Sequence, residues 1–213
     1  MSTFQLLRDN PSQKYCTFDF ETENLGLLKN NRPWSIGYLI SQNGNILKQV
    51  HKYIKWKDIN VSKGAVKITG FDINKYNDLA EDANVVLDEF EQYLNDKDII
   101  PVGQNLINFD IYVLKIWREE LGRKNDYSYL DRLIDTNSLV KAIKKGVKQI
   151  KPEERKMMMF RFANYVEKGL KTNLTALGKG YNIQVDYEKL HDAMKDVLLT
   201  LQIFEKMKWQ IAI

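Results

Sequence analysis

The sequence predicts an α/β fold, a mixed sheet with helices packed on it. Three observations carry that prediction. Aromatic and β-branched runs open the chain, a hairpin signal joins two of them, and the remainder alternates helix-period segments with brief apolar runs. Tyr15 to Phe20 reads as the first strand. Trp34 to Ile40 and Ile46 to Ile54 flank Gln42-Asn43-Gly44-Asn45, and Asn-Gly between such runs marks a tight hairpin. From Glu81 to Leu94, Val85, Val86, Leu87, Phe90 and Leu94 recur at helical spacing.

Ile99 to Val102, ending at Gly103, is a buried strand, and Ile107 to Leu121 a helix with Val113, Leu114 and Trp117 on one side. Leu133-Ile134 is a brief fifth strand that leads, past Asp135-Thr136, into another helix. Pro152 suits a helix start, after which Met158, Phe162 and Tyr165 share a face. Asn173 can cap a short helix ending near Gly178 or Gly180. Met194, Val197, Leu198, Leu201 and Phe204 form the stripe of a closing helix.

Composition narrows the class. With 213 residues, 44% hydrophobic and 28% charged, the chain fits one globular domain over 1–213 and excludes a disordered polymer. No run approaches the roughly 20 apolar residues that span a bilayer, and Met1 to Tyr15 lacks a signal-peptide core. A cytoplasmic protein without membrane association is expected. Cys16 is the single cysteine, so no intrachain disulfide forms. With Cys16, His51 and His191 the only soft ligands, a metal would be held by oxygen, which favours Mg²⁺ or Mn²⁺.

The net charge of +4 is uneven. Lys141 to Lys156 holds seven basic residues against Glu153 and Glu154, which leaves the rest of the chain near −1. Such a window suits either a polyanion or a solvated helix face.

Three motifs carry chemistry. In Thr17-Phe18-Asp19-Phe20-Glu21-Thr22, strand alternation projects Asp19 and Glu21 to the same side. Paired carboxylates repel and resist desolvation unless a divalent cation takes both as ligands; at a fraying strand they would simply be solvated. In Gly103 to Asp110, Asp110 falls in the first turn of a helix, where the dipole favours an acid and where open α/β sheets place ligands. In His191 to Asp196, Asp192 is a good N-cap, which sets His191 on the preceding loop and Asp196 among core positions.

Together these motifs resemble the DEDDh 3′–5′ exonucleases, the family of polymerase proofreading subunits and ribonuclease T. Its pattern is Asp-x-Glu on the first strand, Asp after Asn-x-x-Phe, and His-x4-Asp at the last helix, matched here by Asp19 and Glu21, Asn105 to Phe109-Asp110, and His191 and Asp196. Ile36-Gly37 after Pro33, Ile68-Thr69-Gly70 and Ile134-Asp135-Thr136 extend the similarity over about 14–208. The family commonly reads Thr-Gly where this chain has Glu23-Asn24, and often His where it has Gln104. Asn24 is expected to take the positive φ that glycine would supply. A basic helical insertion at about 141–171 has no counterpart in the pattern.

The resemblance implies an RNase H-like fold, here with a central mixed five-stranded sheet flanked by helices. It further implies phosphodiester hydrolysis from a single-stranded 3′ end, releasing nucleoside 5′-monophosphates, with two Mg²⁺ or Mn²⁺ ions held by Asp19, Glu21, Asp110 and Asp196 and with His191 as general base. Thr22, Leu25, Asn105 and Phe109 are the matched candidates for the terminal nucleotide, Phe109 doubling as core. DNA is the expected substrate. RNA trimming and a non-catalytic nucleic-acid-binding module are the alternatives, and a polymerase or other replication partner and the oligomeric state are left open.

Overall fold

The computed structural model describes residues 4–187 and 192–213. Strands β1 (Lys14–Thr22), β2 (Pro33–Gln42) and β3 (Asn45–Lys55) form an antiparallel meander. At the β2–β3 turn Asn43 and Gly44 have φ of 51° and 75°, the left-handed pair that an Asn-Gly hairpin needs. Helices α1 (Lys63–Thr69) and α2 (Ile73–Leu79) follow, then β4 (Ala80–Asp82), α3 (Ala83–Leu94), β5 (Ile99–Gly103), α4 (Asp110–Glu120) and β6 (Ile134–Asp135). The chain continues with α5 (Thr136–Lys144), α6 (Arg155–Ala163), α7 (Leu174–Gly180) and α8 (Ala193–Met207). Sheet order is β4-β3-β2-β1-β5-β6, with β5 parallel to β1 and β6 parallel to β5.

The sheet is mixed and helix-flanked as expected, but has six strands rather than five. The extra one is the three-residue β4, which pairs parallel to β3 at the edge. It is too short, at Ala80-Glu81-Asp82, to show any alternation of apolar and polar residues. Nor did periodicity announce α1 and α2. Each is two turns long, and its signals are its ends: Ser62 caps α1, Gly70 closes it at φ 68°, and Asp72 caps α2.

Strand alternation in β1 sorts the two layers. Phe18 and Phe20 pack edge-on against Phe90 of α3, and Phe20 against Trp117 of α4. The opposite face carries Tyr15, against Phe204 of α8, and Asp19 and Glu21 further along. Leu39 of β2 joins Met194, Val197 and Leu201 of α8 in a separate buried cluster on that face. The six-stranded core thus lies between α3 and α4 on one side and α8, backed by α5, on the other. No helix among the described residues is long and apolar enough to cross a membrane.

Candidate active site

Asp19 and Glu21 stand two residues apart near the carboxyl end of β1, on the face covered by α8. Asp19 pairs with Gly37 of β2 and Glu21 with Ser35. A Cβ on Gly37 would meet the Ala193 carbonyl carbon at 2.7 Å and the Met194 nitrogen at 2.9 Å, so only glycine lets the start of α8 lie on the sheet there. Asp192 caps that start, accepting hydrogen bonds from the Met194 and Lys195 amides at 3.1 and 3.2 Å. One turn on, Asp196 reaches the strand acids: carboxylate oxygens of Asp19, Glu21 and Asp196 all lie within 4.8 Å of one another.

Asp110 arrives by a different route. After β5 the backbone turns through Asn105 at φ 63°, passes a 3₁₀ turn at Leu106–Asn108, and enters α4 at Asp110. Buried Asp135 holds this loop: one oxygen accepts from the Asn105 and Asn137 amides at 2.9 Å each, the other from Ile107 at 3.3 Å. Asp110 is only 2% exposed, and its Oδ1 is buried without a hydrogen-bond partner. It lies outside the 4.8 Å cluster, yet close enough that its charge acts on both Asp19 and Glu21.

Three of these acids resist ionisation. Burial, then repulsion by Asp110, Glu21 and Asp196, raises Asp19 well above the carboxylate range. Burial and repulsion from Asp196 and Asp192 push Glu21 up to about 9. Burial lifts Asp110 to about 8 against the lowering effect of hydrogen bonds from the backbone of Phe20 and of Asp110 itself. A hard divalent cation relieves this, since it takes oxygen ligands and rewards the charged form. The three converging carboxylates and the unpartnered Asp110 oxygen fit such a cation.

The matched nucleotide-contact candidates divide. Leu25 is 53% exposed beside α1, where a Cβ on Gly64 would lie 3.4 Å from its Cδ1. Thr22 is buried and its hydroxyl donates to the Asn24 carbonyl at 2.6 Å. Phe109 packs half-buried against the core. The Asn105 side-chain oxygen accepts from Asn137 at 2.8 Å and Asn108 at 3.2 Å.

Asn24 does not take a positive φ; among the described residues the non-glycine examples are Asn43, Asn105 and Asn182. The loop is instead pinned by Asn31, whose oxygen accepts the Asn24 amide at 2.7 Å and whose amide donates to the Asn24 and Gly26 carbonyls at 2.9 Å. Glu23, at the other departure from the family pattern, is buried in a two-pronged ion pair with Arg32 at 2.8 and 3.0 Å. With that clamp in place the turn needs no glycine. His191 lies outside the described residues.

Sequence reading missed Asp135 as the anchor of the Asp110 loop, although its Asp-Thr at a strand-to-helix junction is a capping signal. It also missed a cleft of about 80 Å³ lined by Glu21, His51, Lys75 and Asp192 among others. Ser35 Oγ of β2 and Nε2 of His51, which lines that cleft from β3, lie 2.9 Å apart. No sequence pattern joins residues from β2, β3 and α2.

The mixed helix-flanked sheet with its acid cluster at the end of β1 is an RNase H-like fold. Residues 16–204 match the sequence model of the exonuclease family. The chain belongs to that family. No curated protein matches it significantly. Among solved structures, it resembles E. coli exonuclease I with a dA16 oligonucleotide, at TM-score 0.72 and 18% identity over 93% of this chain and 41% of that one. A zinc-bound complex of the same E. coli enzyme with single-stranded DNA gives TM-score 0.71 and 17% identity, again over 93% of this chain and 41% of that one. The chain thus spans well under half the length of these neighbours.

Proposed function

We propose that this chain is a single 3′–5′ exonuclease domain that removes nucleoside 5′-monophosphates from single-stranded DNA. The observation that carries the reading is the convergence of Asp19, Glu21 and Asp196, with the unpartnered oxygen of Asp110 beside them. The oligonucleotides held by the E. coli neighbours support single-stranded DNA as the substrate.

Asp19, Glu21 and Asp196 would hold one Mg²⁺ or Mn²⁺, and Asp110 with Asp19 a second. Bound ions of this kind supply an activated water and charge stabilisation for the leaving oxygen. Asp110, fixed at the start of α4, orients its carboxylate without loop freedom. His191 acts as general base, a role suited to histidine, whose reference pKa of about 6.5 allows proton removal near neutrality. Leu25 packs against the terminal nucleotide, and the Asn105 amide group hydrogen-bonds to it. A cytoplasmic site of action is part of this reading.

The test is a 5′-labelled strand, as DNA and as RNA, incubated with Mg²⁺ or Mn²⁺ beside Asp19→Ala. A DNA ladder shortening from the 3′ end, lost in Asp19→Ala and on chelation, is expected. Preferential shortening of the RNA would reassign the substrate, and binding without cleavage would make the chain a non-catalytic module. His191→Ala should lower the rate roughly 10²–10⁴-fold with the fold intact; an unchanged rate would remove it from the mechanism.

A further inference from the structure

The seven cations between Lys141 and Lys156 meet different fates in the fold. Lys141 is buried with its ammonium on the Ala163 carbonyl at 3.1 Å. Lys145 pairs with Glu167 and Lys156 with Asp131, each at 3.0 Å, and Lys144, Lys148 and Lys151 stand exposed. Arg155 is different. It is 6% exposed and makes no ion pair among the described residues. Its Nη1 donates to the Arg132 carbonyl only at 3.5 Å, and its Nε is buried with no hydrogen-bond partner.

A guanidinium so placed is costly. Burial disfavours the Arg155 charge, and only the Tyr15 side chain acts against that. As the first residue of α6, Arg155 also sets its charge at the positive end of a helix. An anion would relieve both penalties, and the structure leaves room for one. Arg155 lines an open pocket of about 530 Å³ that has Leu7, Ile100 and Pro152 as its apolar walls. Arg132 lines it too, but donates to the Leu94 and Ile99 carbonyls at 2.8 and 3.1 Å. Lys97, on the loop between α3 and β5, is an exposed cation at the rim with no ion pair among the described residues. Asp98 beside it is the one acid in the lining among those residues.

This pocket is not the acid cluster. Ile100 pairs with Tyr15 in the sheet, and the Tyr15 hydroxyl donates to the Leu7 carbonyl at 3.5 Å. The pocket therefore lies at the amino end of β1, about 13 Å along the strand from Asp19 at about 3.3 Å per residue.

We propose that this pocket is a second ligand site, which takes a phosphate group, free or carried on a nucleoside, between Arg155 on the buried side and Lys97 at the rim. A phosphate supplies the counter-charge and the acceptor that Arg155 lacks, and a guanidinium presents several donors to it in one plane. The volume beyond the phosphate, walled by Leu7, Ile100 and Pro152, suits a nucleoside ring, so the monophosphate should bind more tightly than the free ion.

The probes are inorganic phosphate and thymidine 5′-monophosphate, titrated into the full chain in chelator, where the ion-free acid cluster repels both. At about ten times its Kd the nucleotide should raise the melting temperature by at least about 2 °C. Arg155→Met removes a buried, unpaired charge, so the ligand-free melting temperature should hold or rise, while affinity for both probes falls at least about 10-fold. Lys97→Gln is a surface change and should weaken binding about twofold to fivefold. Lys29→Gln, on the exposed loop beyond the carboxyl end of β1, removes the same charge and should leave binding unchanged. Tighter nucleotide than phosphate binding assigns the site to a nucleotide, and equal affinities assign it to free phosphate. No binding of either probe by the unmodified chain overturns the site, as does equal weakening in Lys97→Gln and Lys29→Gln. A lowered melting temperature in Arg155→Met with unchanged binding in Lys97→Gln makes Arg155 a structural cation and overturns it too. The titration requires no cleavage, so its outcome is independent of the nuclease reading.

Discussion

Gly37 and Ala193 touch so closely that a single methyl group cannot fit between them: a Cβ on Gly37 would sit 2.7 Å from the Ala193 carbonyl carbon. Since Gly37 is also the cross-strand partner of Asp19, this contact sets how far above the strand acids α8 carries Asp196. Gly37→Ala should push the start of α8 outward, costing about 1–3 kcal/mol as an overpacked contact does. Activity should fall further than stability, at least about 10²-fold. Urea denaturation beside a nuclease assay measures both. A variant with normal activity would show that α8 can shift without moving Asp196 out of reach.

The acid cluster makes the ion-free fold pH-sensitive, and the sign follows from proton counting. Glu21 titrates near 9 in the folded protein against an ordinary 4.5, and Asp110 near 8 against 3.8. Between those limits the folded state keeps protons that the unfolded chain has released, so unfolding free energy falls as pH rises from about 4 to 9. Glu21→Gln removes one such group. It should raise the melting temperature of the chelator-treated protein at pH 8 by at least about 2 °C, about the shift that 1 kcal/mol gives a chain of this size. Mn²⁺ at about 100-fold over its Kd should stabilise the unmodified protein by about 2.7 kcal/mol and the variant much less. Melting curves with and without Mn²⁺ at pH 5 and pH 8 separate the two effects, and equal Mn²⁺ shifts in both proteins would remove Glu21 from the ligand set.

Much of this architecture is legible in the chain because its signals are local. Tyr15 to Phe20, the Asn43-Gly44 turn and the α8 stripe each state their structure within a few residues, and Asp192 declares its cap by position alone. What stayed hidden depends on partners distant in sequence. Glu23 reads as an ordinary surface acid until Arg32, nine residues on, closes on it. The basic window at Lys141 to Lys156 suits a polyanion or a solvated helix face equally well when charge is counted along the chain, whereas the burial of Lys141 and Arg155 and the pairing of Lys145 and Lys156 are decided in space. The acids Asp19, Glu21, Asp110 and Asp196 could be named only as a set, since each alone has an innocent explanation.

Asp135 should matter as much as a ligand while touching no ion. Its two oxygens satisfy three backbone amides of the Asn105–Asn137 junction, two of them fully buried. Asp135→Ala strands those donors at about 1–3 kcal/mol each, so a loss of about 3 kcal/mol or more is expected. Asp135→Asn keeps one acceptor oxygen and should lose about half as much. Urea midpoints for the two variants test this, and a loss below about 1 kcal/mol in Asp135→Ala would mean the loop is held elsewhere.

Asn105 has two jobs that substitution can separate. Its φ of 63° suits asparagine or glycine, and alanine there should cost about 1–2 kcal/mol. Its side-chain oxygen is taken up by Asn137 and Asn108, which leaves the amide nitrogen for a nucleotide. Asn105→Gly keeps the backbone turn and removes that donor. Its stability should fall by about 1–3 kcal/mol, because the Asn137 and Asn108 side-chain amides lose their acceptor, while KM for oligo-dT should rise about threefold to tenfold, the value of one neutral hydrogen bond. Asn105→Ala should show the same KM with a lower melting temperature. If Asn105→Gly leaves KM unchanged, Asn105 belongs to the turn alone, and nucleotide recognition rests on Leu25 and its neighbours.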